Sequence, residues 1–534
     1  MRRQLLLFVL GLSLLFACQQ GSDNTTVKVE PEPVRGGIYR TAFPFSPRDL
    51  DPAFSTDIYS ITLIQQIFDG LVQFDQNLNV LPALATNWRV STDGLVYTFI
   101  LRQGVRFHNG RQVTADDFVY SFTRILEPNE RAGALSFFQK IKGADDYRTA
   151  EKKQVEGVKA LDPYTLEITL KEPFAPFLSV LAMKDSKVVP REEVERWGKD
   201  FGHHPVGTGP FRLELFEPER IVLVANSDYY EGPPYLEKAV YSVYPGAQNE
   251  EIADDLLAGR LEEAPFYGII LEKMSGKTDY QLFRKPSLSL LFYGMNCAAE
   301  PLAEPLVRQA IMHAINKSQI LREVYKDRFV EAKHILPPGM LAYLPAEVSS
   351  DYDPERAKAL LSRAGYGNQK RLPPLIMLSA SKSPSAQKEF RFLSEDMAAV
   401  GISLQIKYET DWPKFEALLR RGEFTIYRYA WFADIPDPDN FLGALCGSDS
   451  PYNFMRYKNQ RVDALLSEAL TQLDPLKRTA LYRAAEDLID KDVPMVPILY
   501  LTFESAFQPY VKGLQISALG APYIPLKKIW LDKH

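Results

Sequence analysis

Three cysteines and six histidines are all that a chain of 534 residues contains. That is too few for a disulfide framework or for repeated zinc modules. No His-Glu-x-x-His, Cys-x-x-Cys, Gly-x-Ser-x-Gly or phosphate-loop pattern occurs, so no metal centre, nucleophile elbow or nucleotide site is indicated and no cofactor is expected. Basic residues are not in excess: 62 Lys+Arg stand against 68 Asp+Glu, with a pI near 5.8. This argues against a nucleic-acid partner. After the N-terminus no apolar run is long enough to span a bilayer. No internal repeat stands out, and no low-complexity segment beyond residues 19–35.

What is present is ordinary globular material. Apolar residues make up 46% and aromatics 12%, with 27 Tyr and 31 Phe. Such a chain can bury a large core, and its length calls for two to four folding units.

The N-terminus reads as an address. Arg2 and Arg3 precede an apolar run from Leu5 to Ala17, shorter than the ~20 residues of a spanning helix, which makes residues 1–17 a signal peptide. Leu15-Phe-Ala-Cys18 has the form of a bacterial lipobox, so Cys18 is the expected lipidated first residue of the mature chain. Residues 18–35 are polar, proline-bearing and without period, a tether with a reach of roughly 20–25 Å. Cys297 and Cys446 remain; an exported compartment permits a disulfide between them, and two buried free thiols fit equally well.

Along the body, period and punctuation alternate. Ser60–Phe68 carries Ile61, Ile64, Ile67 and Phe68 on one helical face and stops at Asp69-Gly70. Leu95–Leu101 and Tyr164–Leu170 alternate as strands, and Thr114-Ala-Asp-Asp117 caps a helix through Phe118, Phe122 and Ile125. Gly207-Thr-Gly-Pro-Phe211 is a tight turn. Further on, Leu288–Asn296 is a buried strand, 306–315 a helix, and 353–365 a helix from Asp-Pro to Gly. Leu375–Leu378, a helix over Ser394–Val400 and Ile402–Tyr408 follow. Strand and helix in alternation predict an α/β lobe with a partly parallel sheet.

The segment Arg428-Tyr-Ala-Trp-Phe-Ala-Asp434, before Ile-Pro-Asp-Pro-Asp, holds a cation, an indole and a carboxylate within seven residues. A positive end, a negative end and a flat apolar wall are what hold a zwitterion such as a peptide. Fully extended, Arg428 and Asp434 would share a face about 20 Å apart, while Pro436 announces a turn.

The order and spacing of several segments resemble one family. These are Leu84-Ala-Thr-Asn-Trp-Arg-Val, Thr98-Phe-Ile-Leu-Arg-Gln-Gly-Val-Arg-Phe-His-Asn-Gly, Thr114-Ala-Asp-Asp-Phe-Val-Tyr-Ser, Gly207-Thr-Gly-Pro-Phe with Asn226-Ser-Asp-Tyr-Tyr, Val307-Arg-Gln-Ala-Ile-Met-His-Ala-Ile-Asn-Lys, Tyr352-Asp-Pro-Glu-Arg-Ala-Lys and Asp492-Val-Pro-Met-Val-Pro-Ile-Leu-Tyr. Together they resemble the peptide-type (family 5) solute-binding proteins of bacterial ABC importers, most of all the oligopeptide-binding branch, over nearly the whole mature chain. Relatives in that family also carry nickel chelates, haem, opines and oligosaccharides.

The resemblance implies an α/β, two-lobed periplasmic-binding-protein fold with a hinge and an extra subdomain inserted in the first lobe. Lobe I would be 36–71, 201–287 and 503–534, the inserted subdomain 72–200, and lobe II 288–502. It implies a monomeric binding protein, not an enzyme, in the cell envelope, held to a membrane only through the lipid on Cys18. Its partners would be an oligopeptide and the permease subunits of an ABC transporter. In the site, Asp434 is expected to meet the ligand's α-ammonium and Arg428 a ligand carboxylate or, equally, a structural ion-pair partner. Trp431, Tyr429 and Ala430 would line the cleft, with Tyr500 near it. The family's usual Cys before Ala-Asp is Phe432 here, which leaves any carried-over pairing of Cys297 and Cys446 open.

Overall fold

The computed structural model describes residues 32–128, 134–246, 249–265, 269–274, 276–277, 279–345, 352–367 and 370–533. The signal peptide, Cys18 and most of the tether lie outside the described residues. Among the described residues no helix is long and apolar enough to cross a membrane.

Three sheets organise the body, residues 34–534. The first has seven strands, in the order Gln281–Pro286, Thr502–Phe507, Glu263–Pro265, Ile38–Phe43, Lys238–Val243, Arg220–Ala225, Phe211–Glu217. Ile38–Phe43 runs parallel to both its neighbours and the other pairs are antiparallel. The second has six strands, in the order Val330–Glu331, Met495–Tyr500, Ser289–Met295, Ile426–Phe432, Leu375–Ser379, Leu404–Tyr408. Leu375–Ser379 is parallel to both its neighbours. Ala85–Val90, Val96–Leu101, Thr165–Thr169 and Val158–Asp162 form a separate four-stranded antiparallel sheet. Helices cover the six-stranded sheet on both faces, which is why Ser289–Met295 is buried at every position.

The elements follow their local chemistry. The helix Ile58–Ile67 starts earlier than its apolar stripe because Asp57 accepts from the amides of Tyr59 and Ser60. Thr114 and Asp117 form a capping box on Ala115–Ile125. In the Gly207-Thr-Gly turn, a Cβ on Gly207 would lie 2.0 Å from the Ile67 carbonyl oxygen and one on Gly209 2.5 Å from that of Gln66. Only glycine lets this turn close against the end of the helix.

The chain passes between the first and second sheets twice, after Pro286 and after Tyr500. The two crossings are tied together. The Ser287 amide and hydroxyl both donate to the Leu501 carbonyl at 2.9 Å, and the Leu501 amide donates to Ser289 Oγ at 3.0 Å. Beside them Glu504, its side chain only 3% exposed, pairs with Arg284 on its own sheet at 2.6 Å and with Arg328, which follows the helix Lys317–Tyr325 on the other side. Cys297 and Cys446 are free thiols, and burial pushes the Cys297 thiol up to about 11.

Candidate functional site

The run singled out in the sequence forms the strand Ile426–Phe432 in the middle of the six-stranded sheet. Its side chains alternate between two helical layers. Ile426 and Ala430 pack with the helices Pro305–Ala314 and Pro384–Ala399, and Tyr427, Tyr429 and Trp431 pack with Trp412–Arg421 and Pro475–Asp492. The strand ends at Phe432, and the chain turns at Asp434–Pro438.

Arg428 is an ion-pair partner and does not present a free cation to a ligand. It shares the face of Ile426 and meets the fully buried Glu389 with Nε at 2.9 Å and a second guanidinium nitrogen at 3.1 Å. Glu389 is also satisfied by the hydroxyls of Tyr293, at 2.7 Å, and Tyr325. A buried charge answered by four donors is structural. Tyr500 is likewise spent: its hydroxyl donates to the carbonyls of His334 at 2.8 Å and Leu336 at 3.0 Å, inside the core. Tyr429 lies half-buried against the ring of Phe415, and Ala430 is half-buried against the opposite layer.

Trp431 is 9% exposed, its ring edge-on to Tyr452. Its Nε1 donates to the Asn440 carbonyl at 2.6 Å, while Asn440 Oδ1 accepts the Asp434 amide at 2.8 Å. Asn440 thus clips the indole to the backbone of Asp434. The turn is fixed further by Asp437, whose two carboxylate oxygens accept from Arg478 at 2.7 and 2.8 Å. Trp431 therefore acts on Asp434 through this loop.

Asp434 is the opposite of Arg428. Among the described residues it makes no ion pair, and its side chain is open to solvent. Yet burial raises its carboxyl pKa, Asp185 adds to the rise, and Asn440 and Lys184 oppose it. Open to water but crowded by protein describes a carboxylate in a crevice. The next residue, Ile435, is buried in a core built from residues 53–188, so the loop reaches across to that side of the molecule.

Three groups that face Asp434 were not foreseen. The short turn Lys184–Ser186 supplies Lys184 and Asp185, both buried and paired to each other, with the Lys184 ammonium also donating to the Pro52 carbonyl at 3.1 Å. The turn Ala521–Tyr523 supplies Tyr523, whose hydroxyl is raised by burial and then by Asp185 and Asp434. Asp434 thus belongs to the second-sheet side and its neighbours to the first. Two carboxylates against one ammonium, with the phenol neutral, leave a net negative spot suited to a cation. No local pattern could have shown this, because residues 185, 434 and 523 meet only in the fold.

Comparison with known proteins agrees with this architecture. The chain is 31% identical over 533 residues to "Heme-binding protein A" of Haemophilus influenzae, covering 95% of each chain. It is 30% identical over 499 residues to "Di/tripeptide-binding protein 2" of Pseudomonas aeruginosa, covering 89% of this chain and 92% of that one. The solved structure of the ABC transporter-associated periplasmic binding protein DppA from Helicobacter pylori, in complex with the peptide STSA, superposes with a TM-score of 0.76 at 28% identity, over 94% of this chain and 99% of that one. These relatives are binding proteins, and the fold is their two-lobed α/β fold. The family model described as "Bacterial extracellular solute-binding proteins, family 5 Middle" matches residues 79–453, and with more than half of its length so matched, the chain belongs to the family 5 extracellular solute-binding proteins.

Proposed function

We infer that the protein captures oligopeptides in the cleft between its two lobes and delivers them to an ABC permease. The observation that carries this is Asp434: an unpaired carboxylate at the interlobe crevice, with Asp185 beside it and its backbone clipped by Asn440 and Trp431. A peptide's α-ammonium would supply the missing positive charge through charge-assisted hydrogen bonds that strengthen as water is excluded. The ligand backbone would pair with cleft strands, which tolerates varied side chains. The di/tripeptide-binding relative and the peptide-bound DppA support the ligand class.

In this reading lobe I is 36–71, 201–287 and 503–534, residues 72–200 are its insertion, and lobe II is 288–502. The paired crossings at Ser287 and Leu501 serve as the hinge. Cys18, lipidated, holds a monomer at the membrane by the tether alone. A second reading, haem, is favoured by the relative named for it. Against axial ligation by His108, both of its ring nitrogens are engaged, Nε2 with the Gly209 carbonyl and Nδ1 with the Gly207 amide.

Native mass spectrometry of protein purified without refolding should show a retained peptide. Calorimetry should then find that Asp434→Asn and N-acetylation of the ligand each weaken binding roughly tenfold or more. Equal affinity for free and acetylated peptides, or haem in the native spectrum with a Soret shift on titration, would overturn the peptide reading.

A further inference from the structure

The first lobe contains a cavity of about 180 Å³ that none of the residues around Asp434 lines and that the ammonium anchor does not use. It lies between the helix Ile58–Ile67, the end of the strand Ile38–Phe43, and the start of Thr502–Phe507. Ligand crevices in α/β sheets form at such carboxyl ends of parallel strands, here those of Ile38–Phe43 and Glu263–Pro265. The cavity is also joined to the site by one turn. Ala521–Tyr523 sets Tyr523 near Asp434, and Ala521 and Ile524 of the same stretch line the cavity.

Its walls are aromatic, with Tyr39, Phe43, Tyr59, Tyr241 and Phe503, and the carboxylate of Glu263 lies among them. Glu263 Oε2 accepts from Tyr39 Oη at 2.7 Å and Thr41 Oγ1 at 3.0 Å, and Oε1 accepts from Ser505 Oγ at 2.8 Å. All three donors are neutral hydroxyls. Among the described residues Glu263 makes no ion pair, because the neighbouring Glu262 takes the local cations, Arg40 at 3.0 Å and Lys533 at 3.0 Å. A half-buried carboxylate held by hydroxyls and facing an aromatic cavity lacks its counter-charge. An ionised carboxyl offers about four acceptor positions; Tyr39 and Thr41 take two, the Ser505 hydroxyl, which also lies 2.9 Å from the Ala264 carbonyl, takes at most a third, and at least one is left. The volume is several times the ~30 Å³ share of one water, room for a long side chain.

We propose that this cavity is a side-chain subsite that selects ligands carrying a basic residue, whose charged head meets Glu263 while its stem lies against the aromatic walls. Cation–π attraction and the charge-assisted bond act together there. The proposal deepens the peptide reading and rests on it for the ligand's main chain.

A position scan tests it. Each residue of a tetra-alanine peptide is replaced in turn by lysine or by norleucine, which has a stem of similar length without the charge, and affinities are measured by calorimetry. At one position lysine should bind roughly tenfold or more tighter than norleucine. In Glu263→Gln that ratio should fall to about twofold or less. Thr62→Trp, which fills the cavity from its helical wall, should abolish the same preference and serves if Glu263→Gln does not fold. No position with a lysine preference, or a preference that survives in both variants, overturns the proposal while leaving peptide capture intact. If no peptide binds at all, the functional reading fails instead. Agmatine, a guanidinium without a peptide main chain, then probes the cavity alone: binding lost in Glu263→Gln upholds the subsite and no binding overturns it.

Discussion

Arg428 and Asp434 stand six residues apart on one strand and the turn that follows it, and their charges have opposite fates. Arg428 enters a helical layer and is met by a fully buried Glu389. Asp434 leaves the sheet, faces the turns Lys184–Ser186 and Ala521–Tyr523, and meets a second carboxylate and a single lysine that is already paired. A charge whose partner is supplied by the same lobe holds the fold. A charge that distant turns crowd without neutralising keeps the capacity to take a cation. The same contrast recurs between Glu262, paired twice, and Glu263, which among the described residues pairs with no cation.

The largest expected effect breaks the structural half of the comparison. Replacing Glu389 by Leu strands the Arg428 guanidinium and two tyrosine hydroxyls in the core. Removing one partner of a buried ion pair costs about 3–5 kcal/mol. The denaturant midpoint should fall accordingly with little change in slope. Adding Arg428→Met to Glu389→Leu should restore much of the loss, since an apolar pair leaves no orphaned charge. A double variant as unstable as the single one would show that the ion pair is not the source.

That pair also marks where sequence reading ran out. The strands Ser289–Met295, Leu375–Ser379 and Leu404–Tyr408 were legible to within two residues, because their apolar and turn residues are local signals, whereas the strand around Arg428 was legible only as a segment that could be extended. The helix Pro384–Ala399 was read only from Ser394. Its first half carries Ser385, Gln387, Lys388 and Glu389, and the buried acid interrupts the apolar stripe of Ala386, Phe390, Leu393 and Met397. With Glu389 hidden, Arg428 kept two open roles. Asp434 stands out as a candidate in the sequence because its family motif is local, whereas Asp185 and Tyr523 reach its surroundings, and Glu263 its own cavity, from distant segments. Trp431 was legible as a flat wall but not as a donor to Asn440.

The next effect tests the crossing between the lobes. Glu504 answers both Arg284 and Arg328, one from each side of the crossing between the two sheets. Glu504→Gln should loosen the contact between the sides and shift the unliganded protein toward open forms, read as a larger radius of gyration in solution scattering. Ligand should restore the compact value, since it binds the closed form better. An unchanged radius would place the lobe equilibrium elsewhere.

A pH effect sharpens the comparison within the loop that carries Asp434. Asp439 is raised to about 7, by burial first and then by Asp437, against the pull of Arg478 and Lys140. Glu486 is raised to about 7 as well, by burial and then by Asp490, and His334 is raised chiefly by its hydrogen bond to Asp490. A group whose folded pKa exceeds its unfolded value takes up its proton in the native state first, so stability falls as pH climbs between the two. For the carboxyls that window runs from about 4 to about 7. Thermal melting should therefore show higher stability near pH 5 than near pH 8. Asp439→Asn should flatten part of that slope and gain most at pH 8. A slope identical to wild type would show that Asp439 ionises freely in the folded protein.

The smallest effect separates Trp431 as wall from Trp431 as clip. Trp431→Phe keeps an aromatic ring in the layer but removes the Nε1 bond to the Asn440 carbonyl. The net loss of one such bond is about 1 kcal/mol of stability. Asn440 also holds the Asp434 amide, so a looser clip lets the carboxylate wander, and peptide affinity should drop a few-fold beyond any change in contact area. The ratio of free to N-acetylated peptide affinity tells the two roles apart. If Trp431 only lines the cleft, both ligands weaken together and the ratio holds. If it positions Asp434, the free peptide loses more than the acetylated one, because only the free ammonium depends on where that carboxylate stands.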